Sequence, residues 1–282
     1  MFDAYRQWRA RRSAAREARL VDAFAIPEPL WDATLARFAF VRWLDVASLQ
    51  RLRRLVSLFL ADKQFTMVQG LEPDDAIFAA IAVQACLPIL ELDLSLYGGW
   101  REIVVYPGEF VIRKTVQDEA GVVHEVVQDA SGEAWHGGPV ILSWQDAGDD
   151  SGFAYNVVIH EFAHKIDMRN GVADGMPPLS DAWHRGIDRP AWRAGLQACF
   201  DAFCAAVAAV PRRAWRRFEA ESLLDPYAAQ DPAEFFAVAS ETFFVAPRAL
   251  ADEMPPLYDL LRAYYRQDPA QWERDADAAA VK

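Results

Sequence analysis

Residues 156–167 read Asn-Val-Val-Ile-His-Glu-Phe-Ala-His-Lys-Ile-Asp, and no other segment constrains the fold as strongly. Val157, Val158, Ile159, Phe162 and Ile166 make it apolar on nearly every side, which predicts a helix buried in a core. His160, Glu161 and His164 then stand on that helix, where each polar group costs roughly 2–7 kcal/mol unless it is satisfied. Helical spacing of four stacks the two imidazoles one turn apart, so both can converge on one divalent ion. Glu161 lies about 100° round from His160, beside such an ion, in position to hold and deprotonate a water. The competing reading is a structural helix whose polar side chains hydrogen-bond within the core.

Burying such a helix needs a large core, and 282 residues of which 53% are hydrophobic can supply one. A net charge of −12, from 29 Lys and Arg against 41 Asp and Glu, excludes general nucleic-acid binding, which needs a basic footprint. Cys86, Cys199 and Cys204 are too few and wrongly spaced for a disulfide framework or a zinc ribbon. No apolar run reaches about 18 residues and no secretory signal is legible, so no membrane contact and a cytoplasmic location are expected.

Around the central segment the texture changes twice. Residues 1–23 form an Arg-rich helical arm, with Arg6, Arg9, Arg11, Arg12, Arg16 and Arg19, and with Phe2, Tyr5, Trp8 and Leu20 as a docking side. It reads either as a contact for an acidic partner or nucleic acid, or as a solvated helix along the chain's own acidic body. After Pro27 and Pro29, helical periodicity runs through Leu30–Phe38, Asp45–Phe65 and Ala76–Ala85. Ile103–Tyr106, Phe110–Val116, Val122–Val127 and Pro139–Trp144 are β-rich. Helices return over Phe153–Met168, Trp192–Val210, Pro232–Phe244 and Pro256–Tyr265, and Asp275–Lys282 reads as frayed. No internal repeat is present. Helices, then adjacent strands, then helices give an α+β class, organised as one domain over 24–270 with a tail at 271–282.

A catalytic zinc takes a third protein ligand and leaves one position open for water. The metzincin continuation would place Gly at 167 and His at 170, where this chain has Asp167 and Asn170. His184 is the remaining downstream histidine and reads as a surface residue. Asp167 falls on the face of His160 and His164 but one level away, which suits orienting an imidazole. The better source of a ligand is Tyr227–Phe244, where Asp231 and Pro232 announce a helix carrying Glu234 and, two turns on, Glu241. One of these acids fits a ligand and the other an acceptor for a histidine N–H. Spacing alone does not choose, and Asp231-x-x-Glu234 also fits a capping box.

The segments HEFAHKIDMRNG (His160–Gly171) and YAAQDPAEFFAVASETFF (Tyr227–Phe244), with SWQ at 143–145 and YYRQDP at 264–269, resemble the Mlc titration factor A family of bacterial zinc peptidases. The catalytic core of that family is similar to anthrax lethal factor, and the likeness covers roughly residues 25–270. It implies a gluzincin-like site on a zincin-like fold: a small β-sheet, an active-site helix and flanking helices. His160, His164 and Glu234 would hold one Zn2+, which leaves Glu241 to support a histidine, Glu161 would be the general base, and Tyr227 would match a tyrosine seven residues before the ligating glutamate. It also implies hydrolysis of short peptides with aminopeptidase character, and binding of the glucose-responsive repressor Mlc.

On that reading Tyr227 would donate to the developing oxyanion, unless it merely packs beside the Pro226 turn. The strand through Val140, Leu142 and Trp144 would offer its edge to an extended peptide, unless it is an ordinary edge. The rival reading is a regulatory protein that sequesters a transcription factor, with hydrolysis secondary. A purely structural zinc site is disfavoured, because such sites close with four ligands rich in Cys and leave Glu161 without work.

Overall fold

A cluster of buried side chains running from Ile26 to Ala270 sets the architecture. The structure, a computed structural model, describes residues 2–117, 123–148 and 155–280, with side chains described over 12–110, 131–148 and 155–279. Four helices and a strand come first: α1 (Phe2–Ala23), α2 (Glu28–Arg37), α3 (Val46–Asp62), β1 (Gln64–Met67) and α4 (Asp75–Cys86). The strands β2 (Glu102–Tyr106), β3 (Phe110–Gln117), β4 (Val123–Ala130), β5 (Gly132–Ala134) and β6 (Val140–Ser143) follow. Helices α5 (Trp144–Ala147), α6 (Val157–Asp167), α7 (Arg189–Ala208), α8 (Trp215–Glu221), α9 (Pro232–Val245), α10 (Pro247–Glu253), α11 (Pro255–Tyr265) and α12 (Pro269–Ala280) complete the chain. This is the expected α+β class, mostly helical with a small mixed sheet.

The sheet has the order β1-β2-β6-β5, parallel across its first three strands, with β5 antiparallel on β6. β3 and β4 form a separate antiparallel pair. Two of the four sheet strands were not expected. β1 occupies the end of the stretch read as one helix to Phe65. The helix instead stops at Asp62, and Phe65 and Thr66 pair with Ile103 and Val104. β5 is three residues long, too short for alternation to show. At the other end, residues 275–280 continue α12 rather than fray, and Arg248 on α10 pairs with Asp277 at 2.5 Å. The arm is helical and its Glu17 pairs with Arg54 on α3 at 2.6 Å; the side chains of Arg6, Arg9 and Arg11 lie outside the described residues.

Helix α6 starts where Asn156 caps it, its Oδ1 accepting from the Ile159 N–H at 2.9 Å. Phe162 pins the helix beneath the sheet through contacts with Phe59, Tyr97 and Trp100 at ring-centroid separations of 5.6, 4.9 and 5.8 Å. Helix α9 crosses it, capped by Asp231, which accepts from the Ala233 and Glu234 N–H groups. The YYRQDP segment anchors α9 from behind: the Ser240 and Tyr265 hydroxyls share a hydrogen bond of 2.7 Å, and Gln267 donates to the Leu87 carbonyl at 3.0 Å. His184 belongs to this buttress and not to the surface. It is 2% exposed, accepts from the Ser180 N–H on Nδ1 and reaches the Tyr264 carbonyl through Nε2 at 2.8 Å. Among the described residues no single helix is long and apolar enough to cross a membrane.

Candidate metal centre and active-site cleft

The crossing of α6 and α9 brings three potential ligands together. Nε2 of His160 and Nε2 of His164 lie 3.2 Å apart, and Oε2 of Glu234 lies 3.1 and 3.3 Å from them. The three residues offer ligand atoms all within 4.8 Å of one another. The Glu234 side chain turns to the histidines and not back to its helix N-terminus, so the reciprocal half of a capping box does not form. Burial works against its charge, but the hydrogen bonds from both histidines hold its carboxyl well below the usual range.

Glu241, two turns along α9, meets the other side of His160. Its Oε1 lies 2.5 Å from Nδ1, and its Oε2 accepts from the Asn156 N–H at 2.6 Å. Burial alone would strip the proton from this imidazole; the Glu241 and Glu234 carboxylates override it, and the His160 pKa is raised. With Nδ1 held by Glu241, it is Nε2 that points toward His164 and Glu234, and displacement of its proton by an incoming cation would free a lone pair there. Three Lewis bases facing one point, two of nitrogen and one of oxygen, form a donor set that fits one divalent ion such as zinc.

The support extends further than the sequence indicated. Asn156 Nδ2 donates to Gln84 Oε1 at 2.7 Å, and Gln84 Nε2 donates to the Ala80 and Ala147 carbonyls. A buried chain of hydrogen bonds therefore runs from α4 through Asn156 and Glu241 to His160. Asn156 stands immediately before the apolar run, where its cap role was legible; nothing in the sequence marked Gln84.

Asp167 departs from expectation. No hydrogen bond joins it to either imidazole; its Oδ2 accepts from the Gly175 N–H at 2.7 Å. Gly175 has φ +75, and a Cβ there would sit 2.2 Å from the Pro232 carbonyl oxygen, so only glycine lets the loop pass between α6 and α9. Burial, against the pull of that N–H, lifts the Asp167 carboxyl to about 6. Asp167 thus ties the end of the histidine helix to the start of the glutamate helix.

Glu161 lies beside the three ligand atoms on the wall of a cleft of about 1260 Å3. It is 4% exposed and its Oε2 has no partner among the described residues. Burial raises its pKa, opposed by the two histidines. Tyr227, on a short 3-10 turn over Pro226–Ala229, also lines the cleft, with its ring 6.5 Å from that of His160. Burial, then the neighbouring Glu234 charge, pushes its phenol pKa up, so it stays a donor.

The strand edge requires a correction. β6 is flanked by β2 and β5, so Val140 and Leu142 have no free backbone edge and their side chains are fully buried in the core. Trp144 is not in the strand at all; it opens α5 and lies under the Arg37 guanidinium at 5.0 Å. The edge that faces the cleft is β5, whose Gly132, Glu133 and Ala134 line it. Gly132 touches Glu161 so closely that a Cβ would lie 2.5 Å from Oε1. Residues 149–150 of the acidic loop expected at Asp146–Asp150 lie outside the described residues.

Comparison with known proteins identifies the family. Mlc titration factor A of Salmonella arizonae is 41% identical over 248 residues, covering 86% of this chain and 92% of the relative. The proteins of the same name from Salmonella paratyphi B and Salmonella typhimurium are each 40% identical over 247 residues, covering 86% of this chain and 87% of each relative. Residues 6–266 match the family described as glucose-regulated metallo-peptidase M90. The two motifs that carried the resemblance thus sit within a match along most of the sequence, and the chain belongs to the glucose-regulated metallo-peptidase M90 family.

Proposed function

We propose that the chain is a zinc-dependent peptidase that removes residues from the free amino end of short peptides. The observation that carries this reading is the convergence of His160, His164 and Glu234 beside the buried Glu161, whose Oε2 has no partner among the described residues, on a cleft wall. Zinc held by these three residues would supply Lewis acidity, polarising the scissile carbonyl and bringing the pKa of water to about 7.

The remaining work falls to the chain's own groups. Glu161 takes a proton from the attacking water and delivers it to the leaving amine nitrogen. Burial supports this, because it raises the carboxyl pKa, against the two histidines, and so makes the carboxylate a better proton acceptor. Tyr227 donates a hydrogen bond to the oxygen that gains charge as the carbonyl becomes tetrahedral. Glu241 holds His160 in the tautomer that leaves Nε2 free. The exposed edge of β5 pairs with the extended substrate backbone, over the Gly132–Glu161 contact.

The amino-end preference rests on charge. The described residues lining the cleft include Glu133, Asp174, Glu219, Asp225 and Asp231 besides the central acids, and no lysine or arginine. Asp174, Asp225 and Asp231 are engaged as acceptors of backbone N–H groups, which leaves Glu133 and Glu219 to meet an ammonium. Among the described lining residues a carboxylate terminus finds no lysine or arginine to pair with. Hydrolysis of a short peptide and of its N-acetylated form tests the reading: loss of cleavage on acetylation is expected, and equal cleavage of both would overturn the amino-end assignment.

The relatives' name supports a second activity, binding of an Mlc-like repressor by this chain. The net charge of −12 suits a basic DNA-binding partner. If this activity is independent of catalysis, Glu161→Gln leaves complex formation intact while hydrolysis is lost. We also read residues 24–270 as one peptidase domain with a helical arm before it, and place the protein in the cytoplasm.

A further inference from the structure

Glu161 and Lys165 are one helical turn apart on α6 and face the same neighbour, the β5–β6 hairpin. Glu161 packs against Gly132 at the start of β5. Lys165 reaches the turn that follows β5, and its Nζ donates to the Trp135 and Gly138 carbonyls at 2.7 and 2.8 Å. It is 3% exposed, and a buried ammonium is costly unless its donors are used. The two carbonyls use two of them, and the Trp100 ring lies beneath at 4.3 Å. Lys63 sits over the same ring at 4.0 Å and fixes it by donating to the Tyr97 and Trp100 carbonyls at 2.6 and 2.9 Å.

β5 is three residues long and, among the described residues, pairs with β6 alone, while Gly132 also packs on Val157 and Glu161 of α6. An apolar side chain at 165 would remove the ammonium that joins the Trp135 and Gly138 carbonyls and leave the turn only its own bonds, from the Trp135 N–H to the Pro139 carbonyl and from the Gly138 N–H to the Trp135 carbonyl. We propose that Lys165 is a positioning residue that fixes the β5 edge against Glu161, and so sets where an extended peptide lies in the cleft. This rests on the peptidase reading above, in which β5 receives the substrate backbone.

Lys165→Met keeps the length and apolar stem and removes the donors. Amide hydrogen exchange followed by mass spectrometry should show a segment covering residues 131–138 exchanging about tenfold faster, with segments of α6 and β2 unchanged. Zinc content should stay at the wild-type level. KM for an unblocked short peptide should rise about tenfold or more, with kcat within about twofold. Unchanged exchange in 131–138, or a loss of kcat and zinc with KM unaltered, would overturn the proposal. If Lys165→Met does not fold, Lys165→Gln, which keeps a donor on a shorter stem, should give intermediate exchange and intermediate KM, and wild-type values for both would overturn it. A wild-type protein that cleaves no peptide would sink the peptidase reading instead, and the exchange measurement would still decide whether Lys165 holds the hairpin.

Discussion

The Glu241 carboxylate lies 2.5 Å from Nδ1 of His160, so the proton-bearing side of that imidazole is fixed by a buried acid from another helix. Glu234 and Glu241 are seven residues apart on α9 and grip His160 from opposite sides of its ring, one at Nε2 and one at Nδ1. The orientation of one histidine is therefore written into the spacing of two glutamates.

Replacing Glu241 by Gln keeps the shape and removes the charge. Zinc affinity should fall by about 10–100-fold, as it does when supports of metal-bound histidines are lost. Competition with a chelator of known affinity measures it. Unchanged affinity would mean that Glu241 only packs.

Gly132→Ala places a methyl group 2.5 Å from Oε1 and 2.7 Å from Cγ of Glu161. The carboxylate is the movable partner, so kcat should fall while zinc content holds. The added bulk should cost about 1–3 kcal/mol of stability. Steady-state kinetics beside thermal unfolding separates the two effects.

Much of this site was legible in the sequence, for a physical reason. His160, Glu161 and His164 share one helix, so their relation follows from helical spacing alone. Glu234 and Glu241 lie some seventy residues on, and spacing could say that both share a face but not which would meet Nε2. That choice depends on how α9 crosses α6. β5 escaped because three residues carry no periodicity, and the edge was assigned to β6, whose continuous apolar run Val140-Ile141-Leu142 marks an interior strand just as well. His184 was misplaced because its partners, Ser180 and the Tyr264 carbonyl, are backbone groups from separate segments. Asp167 was set on the correct helix, but its partner is a glycine in a loop with positive φ, which no helical pattern reveals.

Tyr227→Phe should lower kcat by about 100–1000-fold, the loss typical of one oxyanion donor. KM and zinc content should change little. A rise in KM alone would reassign Tyr227 to substrate binding.

Stability should depend on pH through His184. Burial lowers its pKa, against the hydrogen bond to the Tyr264 carbonyl. The unfolded chain therefore takes up a proton first as pH falls through about 6.5. The histidine's contribution is fully present above that pH and is lost as pH drops toward the lower folded value. His184→Gln keeps a donor and an acceptor but does not titrate. The difference between the unfolding free energies of the two proteins should shrink below pH 6.5. Asp167, lifted to about 6, titrates in both and cancels. Parallel curves would contradict the assignment.

The central claim is that His160, His164 and Glu234 hold a zinc ion beside Glu161 acting as base. The most direct measurement is zinc per chain by elemental analysis, paired with peptide turnover, for the wild type and Glu161→Gln. The account predicts one zinc in both proteins and turnover reduced by about 100–10,000-fold in the variant. A wild type without zinc, or a variant that retains wild-type turnover, would contradict it.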